Sequence, residues 1–575
     1  MAAQVRVEGV YGPGSFTDTA FTPVPVESKR LLVELAKKTP GFTTDQSLID
    51  GVKFVGDELP CIPGPIKSQA FTAALHGLAG IIGHEILQLR GFKTSGETTV
   101  NTDAAGMFPA TPALVHIDGS EGPQILQNPA VKVFDHGAVA TPVKMRSQAI
   151  YPTATPGVWF QLHGSLGPEP ILRSIGVDPN ATFASGDEAY EHIKKITQTY
   201  TASDLEQLMV NRGFPGSIVH SPAGWLGTMM GRSLARHPLV NYNKAQFTEA
   251  TPPAAFPTAQ ENPDARPLAG IKVLELARVI AAPACGTILA AMGADVIRVN
   301  SSHLPDFTPA QLTLMAGKRS IDLDLGKDED KETLESLVAD ADVIIQGYRL
   351  GSLERRGFGK SLALELAAAR KRGVVYLDEN CYGPDGYYAE RPGWQQVADA
   401  AAGSSYVVGK AYGFPDGQGV LPSLPISDMS TGILSAVNVM SMLRDRARYG
   451  GSWSGCSSLT GYNAATLESW VGLYQPDIVK RIQDRFQFEP MTSDLHVIEL
   501  YYAIVQSWDR YAERDGNSYT RNEEFYTHFK DSVYGKDLRI LAPIVQYTNP
   551  ADKNSTPKWT SPPVPFCFNE TAIFN

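Results

Sequence analysis

The sequence predicts an α/β protein built on a Rossmann-like, doubly wound parallel sheet, with a smaller α+β domain beside it. Three observations carry that prediction. Short β-rich runs alternate with helical stretches after residue 267, a compact mixed stretch fills residues 150–240, and a Pro-rich segment lies between them. Strands that alternate with helices are covered on both faces, so they read as near-continuous Val, Ile and Leu.

Taken in order, residues 1–60 read as an N-terminal extension, irregular except for one helix over residues 28–38. Within residues 64–110, Phe71, Ala74, Leu75, Leu78, Ile81, Ile82 and Leu89 recur at helical spacing. The apolar centre of this helix is interrupted by His76, His84, Glu85 and Gln88 and is barely long enough for a bilayer. It is expected to be a core helix. VWFQLHG opens the mixed stretch, and ILRSIG, GDEAYEHIKKITQTY and DLEQLMVNRG supply its helices. TPPAAFPTAQENPDARP (251–267) marks a linker. Strands are then expected at IKVLEL (271–276), DVIRV (295–299), SIDLDL (320–325), ADVIIQ (341–346) and GVVYLD (373–378). Pro283 sits where a first helical residue belongs, and Gly293 where that helix should stop.

The length of 575 residues implies several domains. Fifty Lys and Arg against 61 Asp and Glu leave a net charge of −11, which argues against a nucleic-acid binder but permits a local basic pocket. Cys61, Cys285, Cys381, Cys456 and Cys567 are dispersed, odd in number and free of CxxC pairs. That pattern predicts neither a disulfide framework nor a metal site, and it suits the reducing cytoplasm. MAAQVRVEGVYGPGSF has no apolar core of a signal peptide, so the triplets at Asn180, Asn554 and Asn569 read as chance matches to the glycosylation pattern. A doubly wound sheet calls for a ligand beyond its strand ends. The first turn, ARVIAAPACG, lacks GxGxxG, which disfavours nicotinamide and flavin dehydrogenases. GxxxxGK[ST], HExxH and GxSxG are missing at any fitting junction as well.

Five blocks, in order over about 200 residues, carry a more specific signal. They are PLAGIKVLELARVIAAPACGTILAAMGADVIRV, GKRSIDLDL (317–325), ADVIIQGYRLGSLERRGFG (341–359), CYGPDGYYAERPGWQQVADAAAG (381–403) and LPISDMSTGILSAVNVMSML (424–443). Together they resemble class III CoA-transferases, the CaiB/BaiF family, with LPISDMSTGIL matching the active-site strand and following helix. VWFQLHGSLGPEPILRSIG and LEQLMVNRGFPGSIVHSPAGWLG resemble the family's small domain. PIKSQAFTAAL (65–75) lies against PISDMSTGIL (425–434) with a one-residue gap, placing Gln69 opposite Asp428. The chain then divides into the extension (1–60), a degenerate partial tandem copy with the small domain (61–250), the linker (251–267), the CoA-binding Rossmann-like domain (268–465) and a C-terminal region returning to the large domain (466–575).

The resemblance implies that Asp428 is the nucleophile of a CoA-transferase that moves CoA from an acyl-CoA to a carboxylic acid. The aspartyl carboxylate would pass through an anhydride and a thioester. No tightly bound cofactor is implied, CoA thioester being substrate, and family members form interlocked homodimers. Neither a nucleic acid nor a membrane is expected as a partner. Read as residues alone, Asp428 is more readily an N-cap bonded to the next turn, and the nucleophile reading comes from the context of the preceding blocks. For CoA phosphates, the window 346–360 holds Arg349, Arg355, Arg356 and Lys360 against Glu354, and Arg298, Lys318 and Arg319 lie nearby. By resemblance, Arg278, Val279, Ile280 and Ala281 line the CoA site, with Tyr348 close to it.

Departures bear on the activity. The family's E-N-F is here Gln346, Gly347 and Tyr348, Asn300 replaces an acidic residue, and no GGGGQ-like lid follows the last helix. Acyl-CoA racemases share the fold but need a second proton acceptor, a histidine in a G-H-D block. That position holds Trp394. An isomerase or racemase, and a non-catalytic CoA-binding protein, are the rival readings. His76, His84 and His163 are expected to be structural histidines.

Overall fold

The computed structural model describes residues 5–43, 45–129, 131, 141–246, 250–516, 518–570 and 573–574; Met1–Gln4 and Thr571 of the third Asn triplet lie outside them. The N-terminal region forms helix α1 (Val24–Lys38), strand β1 (Val52–Val55), helix α2 (Ser68–Leu89) and strand β2 (Thr98–Asn101). By length and composition α2 is apolar enough to cross a membrane, yet Ser68–Leu87 is buried inside the fold. β1 and β2 pair in parallel across it.

The main sheet has seven strands. They are β3 (Tyr242–Lys244), β4 (Lys272–Leu276), followed by helix α3 (Ala281–Ala291), then β5 (Asp295–Asn300), β6 (Lys318–Asp322), β7 (Val343–Gln346) and β8 (Val375–Asn380). Helices α4 (Gln395–Ala402) and α5 (Ile426–Tyr449) precede β9 (Trp453–Ser458), and α6 (Val497–Asp515) follows. The strand order is β3-β9-β8-β7-β4-β5-β6, parallel throughout except for β3 against β9. From β4 onward this is the doubly wound order, with its reversal between β4 and β7, where Val273 lies opposite both Val343 and Val296.

All five expected strands form, although β6 begins at Lys318, two residues before the apolar run. β9 and β3 carried no signal in the sequence, because WSGCSS and YNK lack an apolar run. Helix α3 starts at Ala281, so Pro283 is its third residue rather than its first. That costs nothing, since first-turn N–H groups have no intrahelical acceptor. The expected active-site strand before Asp428 is irregular, bending at Ser423 and Leu424 and ending in Pro425.

The small domain has an antiparallel sheet of Ile150–Pro152, Trp159–Leu162 and Gly216–Ile218 under three helices. It has its own core around Tyr151, Phe160, Ile193 and Met209. The Pro-rich segment does not run free. Buried Arg90 donates to the carbonyls of Pro257 (2.9 Å), Asp264 (3.0 Å) and Arg266, strapping it to α2. The C-terminal hairpin, Tyr526–Ser532 and Gly535–Leu541, extends a sheet through His116–Ile117, and Val545–Gln546 pairs with β2.

Candidate active site

In the loops that follow the carboxyl ends of β4 and β5 lies a cavity of about 360 Å³. Four parts of the chain wall it: the N-terminal region (Pro112, Leu126), the small domain (Gln148, His163), the sheet domain (Val279, Ile280, Phe307, Trp394, Asp428) and the start of α6 (His496, Tyr501, Tyr502). Asp428 is the third residue of α5, half-buried, on that wall. The N-cap is Pro425, so Asp428 caps nothing, and Thr431 Oγ1 has no partner. Among the described residues its carboxyl makes no hydrogen bond or ion pair. Such a group faces the cavity with all its lone pairs uncommitted.

Burial, then the charge of Asp399, pushes the Asp428 carboxyl up to about 8. Glu379, at the end of β8, is raised to about 8 by burial and by Asp428. Asp399 on α4 is raised to about 7 by burial, despite hydrogen bonds from Ser427 (2.9 Å), Asn463 (2.8 Å) and Gln395. Through Ser427 and Gln395, Asp399 ties the first turn of α5 to the first turn of α4. Its role is to hold Asp428 beside Trp394.

The cations named from the sequence separate into two groups. Arg278, Arg349 and Arg355 gather at the strand ends, close enough that Arg278 and Arg355, after burial, lower the basicity of Arg349. Arg349 and Arg355 are exposed. Tyr348 is half-buried beside Arg278, its N–H donating to Gln346 Oε1 at 2.6 Å. These residues remain in reach of a phosphate.

Arg298, Lys318 and Arg319 do not. Lys318 Nζ is sealed beneath α3, donating to Glu275 Oε2 and the Pro283 carbonyl, both at 2.6 Å. Burial lowers the Lys318 amine to about 8 and raises the Glu275 carboxyl. Arg298 lies between Glu275 (3.3 Å) and Asp306 (2.9 Å), and Asp306 accepts the Val279 N–H at 3.0 Å. Arg319 pairs with Asp295 at the amino end of β5, away from the cavity. Buried ion pairs exclude Arg298 and Lys318 as phosphate ligands, while Arg319 is part-exposed but held by Asp295. The first two instead brace the loop Arg278–Ala281, where Val279 adopts a left-handed φ of 68°, an unfavourable conformation for a β-branched residue. Arg278 is tied down as well, to the Pro305 carbonyl at 2.7 Å, while Val279 and Ile280 line the cavity and Ala281 is buried.

Two histidines on the cavity wall are held neutral. His163 Nδ1 accepts the Ser165 N–H at 3.0 Å, so Nε2 carries the hydrogen donated to Gln396 Oε1, also at 3.0 Å. Its ring stacks on Trp394 with centroids 5.5 Å apart. His496 is the N-cap of α6; its Nδ1 accepts from Ile498 N and its Nε2 donates to Gln148 at 3.1 Å. Burial lowers both imidazoles to about 3.

A family model described as CoA-transferase family III matches residues 268–503. A protein of Gibberella moniliformis described as an acyl-CoA transferase is 55% identical over 570 residues, 98% of this chain and 98% of that one. The chain belongs to CoA-transferase family III. The acetyl-coenzyme A transferase nodX of Hypoxylon pulicicidum is 29% identical, across 87% of this chain and 85% of its own. A CaiB/BaiF family protein from Brucella suis, known from its crystal structure, is 29% identical over 35% of this chain and 55% of that one, with a TM-score of 0.30.

As a family III enzyme the chain uses CoA thioesters as substrates, and CoA transfer is the activity its membership carries. Sequence reasoning missed Glu379, Asp399, Gln396 and His496. A signal existed for Asp399 alone, a carboxylate amid the alanines of VADAAAG, which marks a buried polar group needing partners. His496 lies outside the five matching blocks and reaches the cavity only through folding.

Proposed function

We propose that this enzyme transfers CoA between carboxylic acids by covalent catalysis at Asp428. The observation that carries the reading is a carboxyl with no partner among the described residues, on the wall of a cavity at the carboxyl ends of β4 and β5 in a doubly wound sheet. The Asp428 carboxylate attacks the thioester carbonyl, expelling CoA thiolate and forming a mixed anhydride. The thiolate attacks the aspartyl carbonyl, releasing the first acid as carboxylate and leaving an aspartyl-CoA thioester. The incoming carboxylate then reverses both steps, returning free Asp428 and the new acyl-CoA. The overall exchange trades one thioester for another of similar energy, and the protein's part is to position groups and to keep water from the higher-energy anhydride. Burial strips water from the attacking carboxylate, and Arg278, Arg349 and Arg355 supply positive charge for the CoA phosphates.

Among the described residues lining the cavity, neither histidine suits the second base of a racemase, since both ring nitrogens of His163 and of His496 are engaged. We further infer that β1–α2–β2 is a degenerate copy of β8–α5–β9. Both are parallel strand–helix–strand units, and their helices touch through Thr72 and Ser430 at 2.9 Å. In the copy, Gln69 is consumed by the Cys61 N–H (2.8 Å) and the Thr102 carbonyl (2.9 Å), leaving no nucleophile. A homodimer, as the resemblance implies, would then join two chains that each enclose a whole cavity. A cytoplasmic location is proposed from the five free cysteines.

Incubation with an acyl-CoA and hydroxylamine tests the reading. The expected product is an aspartyl hydroxamate on the Asp428 peptide, with transfer lost at least about a thousandfold in Asp428→Ala. Turnover near the wild-type rate in that variant removes Asp428 from the mechanism.

A further inference from the structure

We propose that the acyl site accepts monocarboxylic acids with an apolar or aromatic body and rejects dicarboxylic acids; this rests on the reading of Asp428 as the acyl acceptor. The walls determine what the body of the acid meets. Ile280, Phe307, Trp394, Ile498 and Tyr502 line the same cavity as Asp428. Among the described residues lining the cavity there is no Lys and no Arg. The two histidines that would be the remaining cations are each locked in a neutral tautomer by a backbone N–H on one side and a glutamine carbonyl on the other. Asp306, the second acid on the wall, is already matched by Arg298 at 2.9 Å.

One carboxylate is accommodated, because it reacts. Holding the carbonyl of Gln396 turns that residue's amide into a donor: its N–H groups make no bond among the described residues, and the side chain faces the cavity. A second carboxylate at the far end of the acid would leave water with no counter-charge and would add to the negative charge of Asp428. Burying such an unpaired ion is strongly unfavourable. The exposed arginines at the strand ends serve the opposite end of the substrate, the CoA phosphates, and lie outside this cavity.

The test compares acceptors of matched length with the full chain and one CoA thioester donor: hexanoate against adipate, and phenylacetate against glutarate, with hydroxylamine trapping at Asp428 run in parallel. The expected kcat/KM favours the monocarboxylate of each pair by at least about a hundredfold. Ile498→Arg or, from the other wall, Leu166→Lys should narrow that ratio about tenfold or more by supplying the missing cation. Equal or better use of adipate and glutarate, with Asp428 still trapped, overturns the substrate class and leaves the nucleophile standing. A ratio unchanged in both folded variants overturns it too. If no acid accepts CoA and no hydroxamate forms at Asp428, the covalent reading itself falls, and this inference with it.

Discussion

Three carboxyls within one buried cluster decide how this site responds to pH. Asp428 and Glu379 are each held near 8, and Asp399 near 7, where water would leave them all ionised at neutral pH. An acid whose pKa is raised keeps its proton over the interval between its ordinary value and the raised one. On the proposed mechanism Asp428 must be ionised, so transfer should appear as pH climbs through that interval and vanish as pH falls, well above the range of an ordinary aspartate. Removing the neighbouring charge eases ionisation of Asp428. Asp399→Asn should therefore shift the acidic limb of the kcat/KM profile down by roughly one pH unit. An unmoved limb would separate Asp399 from the titration of Asp428.

Among the elements, the contact of α3 with β4 and α5 governs the geometry of the site. Gly286 on α3 packs so tightly over the Glu275–Lys318 pair that a Cβ there would sit 1.9 Å from Glu275 Oε2. Gly432 on α5 likewise lies where a Cβ would come within 2.5 Å of Ala284. These close approaches bring the Val279 loop and Asp428 to the same cavity. Lys318→Met should cost about 3–5 kcal/mol in urea denaturation, because buried Glu275 loses its hydrogen-bonded cation and keeps only the longer contact with Arg298. Adding Glu275→Gln should recover much of that loss, with KM for the CoA thioester close to normal. Retained stability with a sharply raised KM would instead return Lys318 to the role of a phosphate ligand.

At the scale of the whole molecule, the N-terminal region is part of the enzyme's core. Helix α2 packs along α5 and shares one hydrophobic cluster with it, from Phe71 and Leu75 to Ile433 and Val437. Pro112 and Leu126 complete the cavity wall from the same region. A chain of residues 251–575 would expose the α2-facing side of α5, a large apolar surface. It should be insoluble or melt without cooperativity, as read by calorimetry, whereas the full chain melts cooperatively. A soluble, active fragment would show that the N-terminal region is dispensable.

Local pattern was enough for the strands β4 to β8, because a strand buried on both faces must be apolar whatever lies beside it. The block around Asp428 was legible in the same way, as a short motif whose residues are neighbours in the chain. Folding decided the rest. Arg298 and Lys318 look like ligands in the sequence and become braces, since only the sheet order brings Glu275 and Asp306 to them. The cavity draws on four stretches spread from Pro112 to Tyr502, and its histidines are neutral because distant amides occupy their nitrogens. Periodicity reports whether a residue is buried. Which charge meets which, and therefore what chemistry the buried group can do, is set by contacts that no stretch of chain contains.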